Sequence, residues 1–195
     1  IQLSLEKFDQ AAGAFETLSA IAQLDNNKFE AMLGKMRAYY GGGKFEKALS
    51  EGGAVLKAES ANEDIRREAE YIVAKSHLSL GEREEALAGF KKLASDYISE
   101  EGAESAFMVI QYAYDEGNFD QVENLVYAFS DSETPHNYWL AKSFIVLGDS
   151  FAEREEWAQA KATFESVKEG YTPEKEHDDI LEQVELRLSK IVDYE

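Results

Sequence analysis

Cysteine is absent from the 195-residue chain, so neither disulfides nor thiolate metal sites enter its fold or chemistry. Proline occurs only as Pro135 and Pro173, and no long β-branched run bounded by turn signals is present, which leaves little room for strands. Positive charge is scarce as well. Lys and Arg number 20 against 39 Asp and Glu, a formal net charge of -19 that repels phosphate backbones and anionic lipid at long range. Nucleic acid is therefore not an expected partner. The opening segment from Ile1 to Leu18 is amphipathic with charges throughout, unlike a signal peptide or a membrane span, so no direct membrane insertion is expected.

What the chain does have is enough apolar material for a core, 44% hydrophobic residues including 12% aromatics, arranged in a repeat. Four segments read Phe8-Asp9-Gln10-Ala11, Phe45-Glu46-Lys47-Ala48, Phe119-Asp120-Gln121-Val122 and Trp157-Ala158-Gln159-Ala160; a fifth, Arg83-Glu84-Glu85-Ala86, lacks only the aromatic. The small or short residues Ala11, Ala48, Ala86, Val122 and Ala160 stand 37, 38, 36 and 38 positions apart, the period of a helical hairpin. Four residues on come Phe15, Gly52, Phe90, Val126 and Phe164, then Leu18, Val55, Leu93, Phe129 and Val167 three further on, a stripe along one face of each second helix. Upstream stripes such as Ala106, Val109, Ile110, Ala113 and Phe144, Leu147, Gly148, Phe151 mark first helices. Gly43, Gly81 and Gly117 occupy matching turns that need positive φ, with Glu155 in that place in the last unit. Thr134-Pro135 and Thr172-Pro173 read as helix starts, a capping hydroxyl followed by proline at the first helical position.

The run Phe144, Leu147-Gly148, Phe151, Trp157, Ala160, Phe164, Val167 resembles the tetratricopeptide repeat motif nearly slot for slot, and the resemblance extends over roughly the whole chain. It is weakest at Gly52-Gly53, where a bulky packing residue is expected. The segment from Tyr138 to Asp149 is also similar to the closing repeat of long tetratricopeptide proteins of Bacteroidetes-type bacteria, which implies a C-terminal portion. The resemblance implies an all-α fold, a right-handed α-α superhelix or solenoid of antiparallel helix hairpins, forming a single array over residues 1–195. Residues 1–25 would be a partial repeat, a turn and second helix that leave Phe8 and Phe15 partly uncovered. Residues 27–58, 64–98, 103–130 and 135–171 would be complete repeats. Residues 173–195, with Leu181, Val184, Leu188 and Ile191 along one stripe, would form a capping helix.

In that family one face of each first helix lines a concave groove that holds a partner peptide or helix. The corresponding triplets here are Leu33, Arg37, Tyr40; Tyr71, Lys75, Leu78; Phe107, Gln111, Tyr114; and Ile145, Asp149, Ala152, each spaced i, i+4, i+7. Aromatics mixed with Arg37 and Lys75 suit an extended or carboxylate-bearing segment. The bland alternative is that Leu33, Tyr71, Phe107 and Ile145 simply pack against neighbouring helices. Asparagine is missing from these slots, which argues against the clamp that similar domains use on chaperone tails. The expected function is a protein-interaction scaffold without catalysis or cofactor, with a docking portion of a larger enzyme or envelope-assembly protein as the alternative. The resemblance favours a periplasmic or envelope location over the cytoplasm.

No motif for chemistry rises above the background of the composition. Gly41-Gly42-Gly43-Lys44 lacks the glycine spacing of a phosphate-cradling loop and is followed by Phe45 in place of Ser or Thr. His77, His136 and His177 are far apart, and none has the i, i+4 partner that aims two ligands at one metal. His77 falls at a packing position and reads as a structural, half-buried histidine; His177-Asp178-Asp179 reads as a solvated helix start.

Overall fold

A computed structural model of the chain describes residues 2–173 and 178–191, with side chains from residue 5 onward. The described residues are all-helical. They fall into two compact units, residues 1–93 and 94–195, and within each unit consecutive helices pack against each other. The first unit holds α1 (Gln2–Ile21), α2 (Asp25–Gly41), α3 (Phe45–Lys57), α4 (Glu63–Ser79) and α5 (Arg83–Leu93). The second holds α6 (Glu100–Asp115), α7 (Phe119–Ser130), α8 (Asn137–Glu153), α9 (Trp157–Gly170) and α10 (Ile180–Ile191).

The hairpin turns share one construction. Gly43, Gly81 and Gly117 have φ of 71°, 79° and 73°, and Glu155 takes φ 59° in the same place. In each turn the next amide reaches back over the end of the preceding helix: Lys44 N donates to Tyr39 O, Glu82 N to His77 O, Asn118 N to Ala113 O and Glu156 N to Phe151 O, all at 2.8–2.9 Å. This six-to-one bond, with a left-handed residue inside it, is the Schellman termination of a helix. It reverses the chain within three residues. His77 belongs to the second of these turns, where its half-buried ring places Nδ1 2.6 Å from Glu82 Oε2.

In the first unit the core is built on Phe29, Leu33, Met36, Tyr39, Val55 and Ile72, with Ala31, Ala48 and Ala69 fully buried at close helix approaches. Gly52 is not a hole in this packing. A Cβ placed there would fall 2.6 Å from Val73 Cγ2, so the bulk missing from α3 is supplied by α4. Arg66 closes the connection between α3 and α4 by donating to the carbonyls of Leu56, Ala58 and Ala61 at 2.7, 2.9 and 3.0 Å.

The second unit is centred on Ile110, Val122, Val126, Phe129, Leu147, Phe164, Ile180 and Val184. Burying each large side chain of this kind stabilises the fold by roughly 1.5–3 kcal/mol before entropy is counted. Gly148 lets the Phe164 ring lie against the α8 backbone, 2.4 Å from where a Cβ would stand. Helices α6, α8 and α10 contact one another in sequence as one layer, with α7 and α9 against α8 as the other.

Three sequence expectations are corrected. The turn expected ahead of the Phe8 motif is absent: α1 runs unbroken from Gln2 through Phe8-Asp9-Gln10-Ala11 to Ile21. Leu5, Glu6 and Lys7 precede that motif where the other hairpins have a glycine or Glu155, and helix-forming residues continue a helix. Phe8 is nevertheless exposed, and Phe15 is half-buried over Gly34. Pro135 is not inside α8, which begins at Asn137 after His136. Thr134 Oγ1 instead accepts from His136 N at 3.2 Å and donates to Tyr97 O at 2.7 Å, while His136 Nε2 donates to Ile98 O at 2.8 Å, so the threonine ties two loops together. Nor does α10 begin at Thr172-Pro173; it starts at Ile180, whose amide is accepted by Asp178 Oδ1 at 3.1 Å. The remainder of the expected capping segment, residues 174–177 with His177 and residues 192–195, lies outside the described residues.

Two stability predictions follow from this geometry. Gly117→Ala places a Cβ at φ 73° and should cost about 1 kcal/mol, whereas Glu155→Gly relieves the same strain and should be neutral to stabilising by up to about 1 kcal/mol; urea denaturation of the two variants checks the opposite signs. The second concerns Tyr39, whose hydroxyl donates to Glu16 Oε1 at 2.5 Å and whose pKa is pushed up from 10.0 to about 12 by burial and by that carboxylate. The folded chain then holds this proton more tightly than the unfolded one, so the contribution is complete below pH 10 and fades as pH rises towards 12. Tyr39→Phe should therefore lose less stability than the parent between pH ~10 and ~12, measured by denaturation at each pH.

Candidate functional site

In the first unit the expected groove positions lie on α2 and α4. Leu33 is buried, so the bland packing reading holds there. Arg37 is exposed, but its guanidinium grips Glu68 on α4 through Nε–Oε1 at 2.6 Å and Nη2–Oε2 at 2.5 Å. That pairing raises the Arg37 pKa further and joins the two helices. Tyr40 meets Phe45 edge-on at 6.2 Å, and Lys75 lies over the Tyr71 ring at 5.8 Å. Leu78 is half-buried. The two cations expected to face a ligand are thus engaged within the protein, Arg37 by a carboxylate and Lys75 by an aromatic face.

In the second unit the expected residues come together. Phe107, Gln111 and Tyr114 on α6 and Ile145 and Asp149 on α8 line one cavity of about 330 Å³. Phe107 and Ile145 form its floor, at 8% and 3% exposure, so both serve the core and the cavity wall. Gln111 Nε2 donates to Asp115 Oδ1 at 2.8 Å, and the Tyr114 ring lies 5.8 Å from Phe119. The Tyr114 hydroxyl is held protonated above its ordinary range by burial, then by Asp149 and Glu153. Ala152 falls in an adjoining hollow of about 450 Å³, which shares Tyr114, Asp149 and Arg187 with the first and adds Trp157, Phe164 and Leu186.

Besides Val146, three polar residues of this cavity were not among the expected ones. Gln183 and Arg187 come from α10, and Arg187 pairs with Asp149 through Nε–Oδ1 at 2.6 Å and Nη2–Oδ2 at 2.7 Å. Lys142, one turn before Ile145 on the same side of α8, is the third. The i, i+3 spacing to Ile145 could have revealed Lys142; nothing in the sequence pairs Arg187 with a residue 38 positions earlier. A further hollow of about 250 Å³ between the start of α8 and the end of α9 is lined by Leu140, Phe144, Val167 and Tyr171, with no charged side chain.

For chemistry other than binding the arrangement offers little convergence. No group of three or more His, Asp or Glu side chains suited to a metal is found among the described residues. His77, in the last turn of α4, and His136, just before α8, are each held by the contacts given above. No helix among the described residues is long and apolar enough to cross a membrane.

No family model matches the chain, and no curated protein matches it. Among solved structures it is similar to the crystal structure of BtubC (BKLC) from P. vanneervenii, with a TM-score of 0.72 and 13% sequence identity over 98% of this chain and 83% of that one. At that identity the likeness concerns the fold alone.

The Asp149–Arg187 pair is bidentate with both side chains about three-quarters buried, so it should exceed an ordinary surface ion pair. Asp149→Asn is expected to lower the stability of α10 docking by about 1–2 kcal/mol, seen as faster amide hydrogen exchange in residues 180–191 with exchange in α6 unchanged.

Proposed function

We propose that this chain is a tetratricopeptide-type interaction scaffold, its hairpins stacking as in the right-handed superhelix of that family, which holds an extended segment or helix of a partner protein without catalysis of its own. The observation that carries the reading is the convergence in the second unit. Groove positions from two successive first helices, Phe107, Gln111 and Tyr114 with Ile145 and Asp149, share one open cavity with the polar side chains of α10. A half-apolar floor with a few polar groups around it is what a partner's side chains need for both affinity and orientation. The Gly-turn geometry and the 36- to 38-residue period are the features that support the family reading.

The contacts of α2 and α4 make the first unit a weaker candidate surface, because Arg37 and Lys75 already have partners within the fold. The reading therefore concentrates the partner on the second unit. Photo-crosslinking tests it. With benzoylphenylalanine in place of Gln111, irradiation in the source cell is expected to yield a discrete protein adduct; the same residue in place of the exposed Gln159 on α9 should yield none. Equal labelling at both positions, or labelling at Gln159 alone, would place the partner elsewhere and refute the groove.

A further inference from the structure

Lys142 is the feature of the second unit that the fold does not use up. Its ammonium is held by three aromatic rings, with Nζ 4.7 Å from the centroid of Phe107, 5.3 Å from Trp139 and 5.4 Å from Tyr138. The rings brace one another, Phe107 against Trp139 at 5.6 Å and Tyr138 against Trp139 at 5.0 Å. Although the chain carries 39 acidic residues, no carboxylate among the described residues lies within ion-pairing distance of Lys142. Ring faces attract a cation but accept only weakly from its three N–H donors, which keeps the ammonium short of strong acceptors.

The cavity beside it is locally inverted in sign. Its charged lining is Lys142, Arg187 and Asp149, and both oxygens of Asp149 are taken by Arg187, which leaves one uncompensated positive charge in a molecule of net charge -19. Ligand carboxylate is the group that complements such a site, charge-assisted at Lys142; Gln111 and Gln183 flank it, each amide keeping one N–H beside its bond to Asp115 or Asp179. Outside this point the surroundings are acidic: Asp179, Asp178 and Glu104 help to raise the Tyr138 hydroxyl after burial does. A run of acids would be repelled there, whereas one carboxylate would be accepted.

The adjoining hollow supplies a second anchor. Trp157, Phe164, Ile191 and the exposed Leu186 form its apolar wall, with Tyr114 and Lys190 beside them, and it continues past the Asp149–Arg187 pair. Lys142 and Ala152 are ten residues apart on one helix, about 15 Å at 1.5 Å per residue. An extended strand covers that distance in about four to five residues.

We propose that the second unit binds an internal, extended segment of a partner protein that places one isolated Asp or Glu side chain on Lys142 and, about four to five residues away, a large apolar side chain in the hollow beside Trp157 and Leu186. This rests on the reading of that face as a partner-binding groove and adds the chemistry of what it selects. Lys142 is the specificity determinant, the aromatic box fixes its ammonium, and Arg187 keeps Asp149 from neutralising it.

Selection from a random dodecapeptide library tests this, displayed once between two fixed flanks and once with a free C-terminus. Enrichment is expected from the flanked library, with a single acidic position and a bulky apolar position about four to five residues apart. Affinity of an enriched synthetic peptide should fall at least about tenfold on replacing its acid by the amide, and equally for Lys142→Gln, while Lys142→Arg retains most of it. Circular dichroism of both variants confirms folding, and the Arg variant keeps the test valid if Lys142→Gln does not fold. Enriched peptides lacking an acid, or binding unchanged when the acid becomes an amide, overturn this proposal while sparing the groove. Enrichment confined to the free C-terminus overturns the internal-segment assignment. No enrichment in either format overturns this proposal and, together with equal crosslinking at Gln111 and Gln159, the groove itself.

Discussion

The left-handed residue in each hairpin turn is the constraint on which the other features rest. Because Gly43, Gly81, Gly117 and Glu155 take positive φ inside a six-to-one hydrogen bond, each helix ends at a defined residue and the next begins within three positions. Such a short reversal leaves no slack in the rotation of one helix about the other. The apolar stripe of each second helix therefore faces the first helix, and the i, i+4, i+7 positions of the first helix are left on one side. Had the turns been long and pliable, the same stripes could have packed in several registers, and positions such as Phe107 and Gln111 would have no determined neighbours.

Within each unit, small residues then set how closely helices approach. Gly148 beneath Phe164 and the fully buried Ala48, Ala69, Ala103 and Ala160 bring backbones together, and large residues fill what remains. Polar ties join successive hairpins where apolar contact is thin: Arg66 on three carbonyls, Thr134 and His136 on Tyr97 and Ile98, and Tyr171 on Asp178. Arg66, Thr134 and His136 bond loop carbonyls, as backbone acceptors require, and Tyr171 donates to the Asp178 carboxylate. They also fix where the next first helix starts. The position of α10 alongside α8, secured by Arg187, completes the cavity that α6 and α8 alone would leave open.

Much of the helical layout was legible because a period of 36 to 38 residues, a conserved-looking stripe geometry and a turn glycine are local patterns that repeat in this one chain. At Thr134 and Gly52 a tertiary contact overrode a local signal, whereas at Phe8 the local sequence itself continues the helix. Thr134 has the chemistry of a helix cap, yet Tyr97 O, 37 residues earlier, recruits its hydroxyl and the helix begins later. Phe8-Asp9 has the look of a helix start, but without a turn residue before it the helix simply passes through. Gly52 has the look of a missing side chain in the sequence, and Val73 occupies its space in the fold.

The candidate site divides the same way. Periodicity alone determined that Phe107, Gln111, Tyr114, Ile145 and Asp149 share a side of their helices, because side-chain direction in a helix depends only on spacing. Whether a charge on that side is available depends on which distant residue reaches it, and that is a property of the folded chain. Glu68 takes Arg37, Arg187 takes Asp149, and Lys142, unremarkable in the sequence, is left among three rings without a carboxylate. Sequence by itself determined the helices, their pairing and the faces they present; only the tertiary structure decided which charges on those faces cancel, since ion pairs between residues 31 or 38 positions apart form by proximity in space and leave no periodic trace in the chain.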